Sequence, residues 1–137
     1  MEINFTVYGT PVAQARTKNH VVNGFVVKFD PKKSADYKNY VRQEALKVKP
    51  KIPFEDAMAL TVIAYVPIPV SMSKKRRALA IAGEIRPTKR PDIKNIFTGV
   101  EDALAGIIWR DDSLVCDAVM RKRYSDCPRV EVTVKEL

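Results

Sequence analysis

Acidic residues with the types and spacing of a divalent-metal site lie in the second half of the chain. Asp92 stands in the run Arg90-Pro91-Asp92-Ile93-Lys94-Asn95, and the pair Asp111-Asp112 follows the next helical segment. Carboxylate oxygens are the ligands of Mg²⁺, which activates water and stabilises the leaving oxygen in phosphodiester hydrolysis. Seen singly, each aspartate is more often a helix cap or a turn residue, so the hypothesis of a metal site depends on their combination.

The overall charge of the chain favours a polyanionic partner. Lys and Arg number 24 against 16 Asp and Glu, which gives a net charge of +8. Residues 74–94 carry eight of these cations and only two carboxylates. Such a run is usually a solvated helix face, but a basic segment also suits the phosphate backbone of a nucleic acid, and basic character alone fits an acidic protein or a lipid surface as well. The expected nucleic-acid-binding residues are Arg16, Lys74, Lys75, Arg76, Arg77, Lys89, Arg90 and Asn95.

Length and composition predict one globular domain over residues 1–137. The apolar run from Ala57 to Val66 is too short to cross a bilayer, and the N-terminus lacks a signal-peptide pattern. We therefore expect a cytoplasmic protein without membrane contact. Two cysteines and one histidine, far apart in the sequence, indicate neither a disulfide framework nor a zinc site.

Hydrophobic periodicity predicts the elements that must position these residues. Strands are predicted for an N-terminal segment ending at Gly9, for a hairpin turning at Asn23-Gly24, and for residues 57–66, 114–124 and 129–135. Helices are predicted for residues 34–48, 74–82 and 95–106, with Ser34 and Ser73 as N-caps of the first two. This order predicts an α+β fold, a mixed β-sheet with helices packed on one face.

Aromatic residues suited to stacking on bases are not evident from the sequence pattern. Phe97 is interpreted as helix surface or dimer contact, and Trp109 as core. Recognition of DNA shape through phosphates is therefore favoured over base-by-base readout.

The order of these features resembles the RusA family of Holliday junction resolvases over nearly the whole chain. The segments that carry the resemblance are Gly9-Thr10-Pro11, Phe29-Asp30-Pro31-Lys32-Lys33, Ser71-Met72-Ser73-Lys74-Lys75, Gly83-Glu84, Lys89-Arg90-Pro91-Asp92-Ile93, Asn95-Ile96, Asp102-Ala103-Leu104 and Trp109-Arg110-Asp111-Asp112-Ser113. Each segment is weak alone, but their order and spacing are specific together.

The resemblance implies a homodimeric endonuclease that binds four-way DNA junctions and resolves them by paired cuts. It implies Mg²⁺ as cofactor, with Mn²⁺ as an alternative, and no small-molecule cofactor. In that family, two aspartates of an Asp-x-Asp-Asn motif and the second of a later Asp-Asp pair are catalytic and bind the metal. Asp92 and Asp112 match the first and third of these residues. Lys94 stands at the second, and Thr98 stands where many members carry lysine.

Lys94 is expected to impair cleavage, because an ammonium group repels the metal and can pair with the carboxylates that would bind it. Three explanations stay open: an engineered change, a natural loss of cleavage with junction binding retained, or a site in which another acid serves. The intact neighbours Arg90, Asp92 and Asn95 favour engineering or recent inactivation. The alternative function is a non-catalytic protein that binds junctions or branched DNA. A basic module for RNA or an acidic protein would explain the charge but not the two acidic motifs.

Overall fold

The computed structural model of the chain describes residues 1–15, 18–29 and 31–137. Its elements are β1 (Glu2–Tyr8), β2 (Lys18–Val22), β3 (Phe25–Phe29), α1 (Lys32–Leu46), β4 (Met58–Pro67), α2 (Lys74–Ile81), α3 (Ile93–Leu104), β5 (Val115–Ser125) and β6 (Arg129–Glu136). Their order is the predicted one. No helix in the described part of the chain is both long and apolar enough to span a membrane.

A mixed four-stranded sheet in the order β1-β6-β4-β5 forms the scaffold. β4 pairs in parallel with β5 and antiparallel with β6, so it is an interior strand, as its apolar sequence predicts. Its residues Leu60, Val62 and Ala64 are fully buried on one face of the sheet. The α+β class is therefore confirmed. β2 and β3 form a separate two-stranded hairpin that turns at Asn23-Gly24.

Helices α1 and α3 cover the apolar face of the sheet. Val41 of α1 and Ile96 of α3 lie in one core cluster with Val132 of β6. On the other face, Glu131 and Thr133 of β6 stay partly accessible, as expected for a sheet with one face toward water. The burial of α3 therefore fixes where the two ends of this helix lie on the sheet.

Two predicted helix starts differ from the structure. α1 begins at Lys32 with Pro31 as its N-cap, so the prediction of Ser34 as N-cap is wrong. Proline fixes φ near the helical value, so the helix begins directly after it, and Ser34 becomes a buried residue of the first turn. α3 begins at Ile93, two residues earlier than predicted, with Asp92 as its N-cap. The predicted cap of α2 is confirmed, since Ser73 Oγ accepts a hydrogen bond from the backbone N–H of Arg76.

Candidate metal and nucleic-acid site

Asp92 lines a surface cavity of about 590 Å³ at the start of α3. Arg90, Asn95 and Lys33 line the same cavity, so the carboxylate lies among cationic and polar groups. Although Asp92 occupies the N-cap position, its side chain makes no capping hydrogen bond within the described residues. The carboxylate is thus not engaged as a cap, and a role as ligand remains open to it. The backbone N–H of Gln14 donates to the carbonyl of Asn95 at 2.9 Å and closes the wall of the cavity.

Lys122 of β5 holds the chain segment that leads into Asp92. Its ammonium group donates to the carbonyl oxygens of Lys89 at 2.8 Å and of Pro91 at 3.0 Å, on either side of the cis Arg90–Pro91 bond. This role has no local signature in the sequence, because Lys122 lies between two arginines in a basic strand. Only the register of β5 on β4 directs this lysine toward α3.

Asp112 is fixed by the buried indole of Trp109. The indole Nε1–H donates to Asp112 Oδ1 at 2.8 Å, and Trp109 has no exposed surface, which confirms it as a core residue. The adjacent Asp111 has a different role. Its carboxylate accepts the backbone N–H of Ser113, and this hydrogen bond lowers the pKa of Asp111. Asp111 is therefore a turn residue, and Asp112 is the member of the pair that lies beside other carboxylates.

Glu101 and Asp102, in the last turn of α3, join Asp112 in an acidic cluster. Ligand oxygens of these three residues lie within 4.8 Å of one another, a spacing that suits one divalent cation. Burial, followed by repulsion from Asp112 and Asp102, raises the pKa of Glu101. Lys38 approaches Asp102 at 3.9 Å. Glu101 and Asp102 were not among the ligands predicted from the sequence. Their position at the end of the predicted helix, just before the turn that carries Asp112, is the sequence feature that indicates a role as ligands.

The predicted partners Asp92 and Asp112 lie at opposite ends of α3. Asp92 precedes the helix, whereas Asp112 contacts its last turn through the cluster. The nine residues from Asp92 to Glu101 rise about 13 Å along the helix axis. Within one copy of the chain, the fold thus brings Asp112 to Glu101 and Asp102 and keeps it apart from Asp92.

Lys94 lies on the outward face of α3, in a groove between this helix and strand β5. The groove has a volume of about 260 Å³, and Ile93, Phe97, Ala118 and Met120 provide most of its lining. Lys94 is exposed, and within the described residues it forms no ion pair with Asp92 or with Asp112.

The predicted DNA-binding cations of the described chain are accessible. Lys74, Lys75 and Arg76 are exposed on α2, and Arg77 is half-buried. Lys89 and Arg90 are exposed where the chain passes from α2 to the Asp92 cavity. None of these six pairs with a carboxylate in residues 1–15, 18–29 and 31–137. Arg16, the remaining predicted cation, lies outside the described residues.

Comparison of the sequence with known protein families identifies the family of this chain. The sequence profile of the family described as endodeoxyribonuclease RusA matches residues 8–135. The chain therefore belongs to the RusA family. It is 44% identical over 137 residues to the uncharacterized protein YqaN of Bacillus subtilis (strain 168), and this match covers 98% of the chain and 96% of YqaN.

Replacing Trp109 by phenylalanine should show what the indole contributes to Asp112. Trp109→Phe keeps an aromatic ring in the core but removes the N–H donor, so we expect the free energy of unfolding to fall by about 1–3 kcal/mol. Urea unfolding should be followed by circular dichroism, because Trp109 is the single tryptophan of the chain. Asp112→Asn is the matched control, since its amide oxygen still accepts the bond. An unchanged stability of Trp109→Phe would exclude an energetic role of this bond.

Lys122→Met should loosen the segment that carries Asp92. Two carbonyl groups lose a charged donor, and we expect a stability loss of about 1–3 kcal/mol. Trypsin should then cut the Lys89–Arg90 bond faster than in the parent chain, as measured by mass spectrometry of timed digests. Lys135→Met, at an exposed position of β6, serves as the control. Equal cleavage rates in all three chains would show that the segment keeps its conformation without Lys122.

Proposed function

We propose that the chain is a structure-selective endodeoxyribonuclease fold that binds four-way DNA junctions as a homodimer. Its chemistry is paired, Mg²⁺-dependent phosphodiester hydrolysis, with Asp92 and Asp112 as catalytic metal ligands and with cleavage impaired by Lys94. Membership of the RusA family supports the nuclease class. The observation that carries the proposal is the placement of the two aspartates at opposite ends of α3, with cationic residues around Asp92.

DNA binding is assigned to the cations that lead into the Asp92 cavity. Lys74, Lys75 and Arg76 on α2, with Lys89 and Arg90, provide phosphate contacts that depend on backbone shape rather than on base sequence. Asn95 lies in the first turn of α3, where free backbone N–H groups favour an anion such as a phosphate.

The two ends of α3 differ in how many carboxylates they offer to a divalent metal. At the Asp112 end, Glu101 and Asp102 supply further carboxylates, and this donor set suits Mg²⁺ or Mn²⁺. At the other end, Asp92 has no second carboxylate in its cavity among the described residues. A bound metal supplies an activated water and stabilises the leaving oxygen. Because one copy separates Asp92 from Asp112, a complete site requires a second copy.

The groove beside α3 is the surface we assign to the dimer contact. Its apolar lining includes Ile93, Phe97 and Met120, and β5 next to it is an edge strand of the sheet. Edge strands and apolar grooves are commonly covered in an assembly. A two-fold dimer also matches the symmetry of a four-way junction, since each copy then presents one site to the DNA.

An antiparallel arrangement of two α3 helices would give Lys94 a carboxylate partner in the second copy. If the two-fold axis passes at Phe97 and Thr98, near the middle of α3, residue 94 of one copy faces residue 101 of the other. The ammonium group of Lys94 then lies at the partner's acidic cluster, where burial, followed by repulsion from Asp112 and Asp102, raises the pKa of Glu101. Asp92 approaches the same cluster from the neighbouring turn. Lys94 thus stabilises the dimer and competes with a metal for the same carboxylates.

The alternative is a protein that binds junctions or other branched DNA without cutting them. Lys94 favours this function specifically, because a lysine that neutralises the acidic cluster replaces the metal as its counter-ion. The cations of α2 would then carry the whole activity. A basic module for RNA or an acidic protein leaves the acidic cluster and the Asp92 cavity without a role.

Restoring an aspartate at position 94 should separate the two functions. We expect Lys94→Asp to cut a labelled four-way junction in Mg²⁺ and not in EDTA, whereas the parent chain binds the junction and cuts it at least tenfold more slowly. Lys94→Asp combined with Asp112→Asn is the matched control and should bind without cutting. Tight binding without cleavage by Lys94→Asp supports the non-catalytic function. Equal cleavage by the parent chain would show that Lys94 does not impair the site.

Charge reversal should test the contact between Lys94 and Glu101. We expect Lys94→Glu to weaken dimerisation in EDTA, because without a bound cation it adds an uncompensated fourth carboxylate to the acidic cluster, and Lys94→Glu with Glu101→Lys to restore it. Sedimentation velocity over a range of concentrations measures both effects, and Lys135→Glu controls for the change in net charge. If the double variant dissociates as readily as the single one, the two residues do not face each other.

A further inference from the structure

The tip of the β2–β3 hairpin is apolar on both of its faces. Val22 and Phe25 are cross-strand partners on one face, and Val21 and Val26 are partners on the other. All four side chains are exposed, and Phe25 and Val26 retain 75% and 65% of their accessible surface. A hairpin that rests on a core buries one face and exposes a polar one. A tip that is apolar on both faces suits insertion between two flat apolar surfaces.

The hairpin rises from the rim of the Asp92 cavity. The chain enters β2 shortly after Ala15 and leaves β3 shortly before Lys33, and both of these residues line the cavity. Neither strand pairs with the four-stranded sheet. Strands of five residues extend about 16 Å, which exceeds the roughly 8.5 Å depth of a DNA major groove. A nucleic acid held at Asp92 therefore lies within reach of the tip.

The charge around the hairpin indicates the class of partner. Between Gln14 and Lys33, the sequence contains the cations Arg16, Lys18, Lys28, Lys32 and Lys33 against the single carboxylate of Asp30. A second copy of this hairpin would bring the same positive charge against it, which disfavours a contact between copies. DNA offers the complementary combination, with anionic phosphates for the stem and the apolar faces of bases for the tip.

We propose that the hairpin tip, led by Phe25, is a wedge that enters the branch point of the DNA and stacks on the bases exposed there. This inference rests on the proposed junction-binding function and adds a determinant that selects branched over continuous duplex. Apolar side chains kink duplexes by entering between stacked base pairs, at the cost of unstacking. That cost is smallest where pairing is already interrupted, so the wedge favours a branch point.

Phe25→Ala, Phe25→Trp and Ile52→Ala provide the test in the full-length chain. Ile52 is 71% exposed beyond the far end of α1 and controls for the loss of a surface apolar group. The DNA probes are a four-way junction and a duplex of equal length, with 2-aminopurine either at the branch point or in the middle of an arm. We expect Phe25→Ala to lose roughly tenfold in junction affinity and none in duplex affinity. The branch-point fluorescence change seen with the parent chain should disappear, and Phe25→Trp and Ile52→Ala should both preserve it.

Three outcomes would overturn the wedge. Phe25→Ala with parental junction affinity and parental branch-point fluorescence shows that the tip does not enter the junction. An equal loss on junction and duplex shows that the tip contacts DNA without selecting branches. A lower sedimentation coefficient of the free Phe25→Ala chain assigns the tip to a contact between copies. If the parent chain itself does not prefer the junction to the duplex, the proposed junction-binding function is refuted. This outcome concerns the parent chain alone and is therefore distinguishable from the other three.

Discussion

The packing of α3 along the sheet is the constraint on which the site depends. Ile96, Val100 and Leu104 are completely buried on one side of the helix. Their burial fixes the rotation of α3, because turning the helix would expose several apolar side chains at about 1.5–3 kcal/mol each. Lys94, on the opposite side, consequently faces outward, and Phe97, at the boundary, is partly buried against the core. The helix also acts as a rigid spacer, and its length alone separates Asp92 from Asp112.

The two ends of α3 differ in charge. The start of α3 lies among cationic residues, whereas its end carries Glu101 and Asp102 beside Asp112. Acidic groups at the C-terminal end of a helix oppose the helix dipole, so local helix stability does not favour this cluster. Lys38 approaches Asp102 within the chain, and a further cation beside Glu101 and Asp112 would stabilise the cluster more. In the proposed dimer, a divalent metal and Lys94 of the second copy are two cations that would do so, and they would exclude each other.

Much of the fold was predictable from the sequence because its elements are encoded locally. Alternation in β1 and β6, the Asn-Gly turn and the Ser73 cap each depend on a few neighbouring residues. The site was predictable only in part. The resemblance to RusA gave Asp92 and Asp112, but the approach of Asp112 to Glu101 and Asp102 depends on how the chain returns to the end of α3. Strand register and long-range contacts of this kind are not contained in local periodicity.

The residues that sequence reasoning missed share a physical reason. Lys122 gains its role from two carbonyl groups more than thirty positions away, and Glu101 gains its role from the approach of Asp112. Phe25 lies in a predicted strand, where a phenylalanine usually belongs to a core. Its 75% exposure contradicts the expectation that no aromatic residue is available for stacking. Exposure of one side chain is a property of the assembled hairpin and has no local signature.

The parallel pairing of β4 with β5 has a consequence for how this protein changes over evolutionary time. Parallel neighbours cannot be joined by a tight turn, so a long crossover must connect them, and here α2, α3 and both acidic motifs lie in that crossover. The strands specify the sheet, whereas the candidate site residues lie in the crossover between β4 and β5. The charge at an exposed position of this crossover, such as residue 94, can therefore change while strand pairing and core stay intact. Changes in the crossover and changes in the sheet can thus accumulate independently of each other.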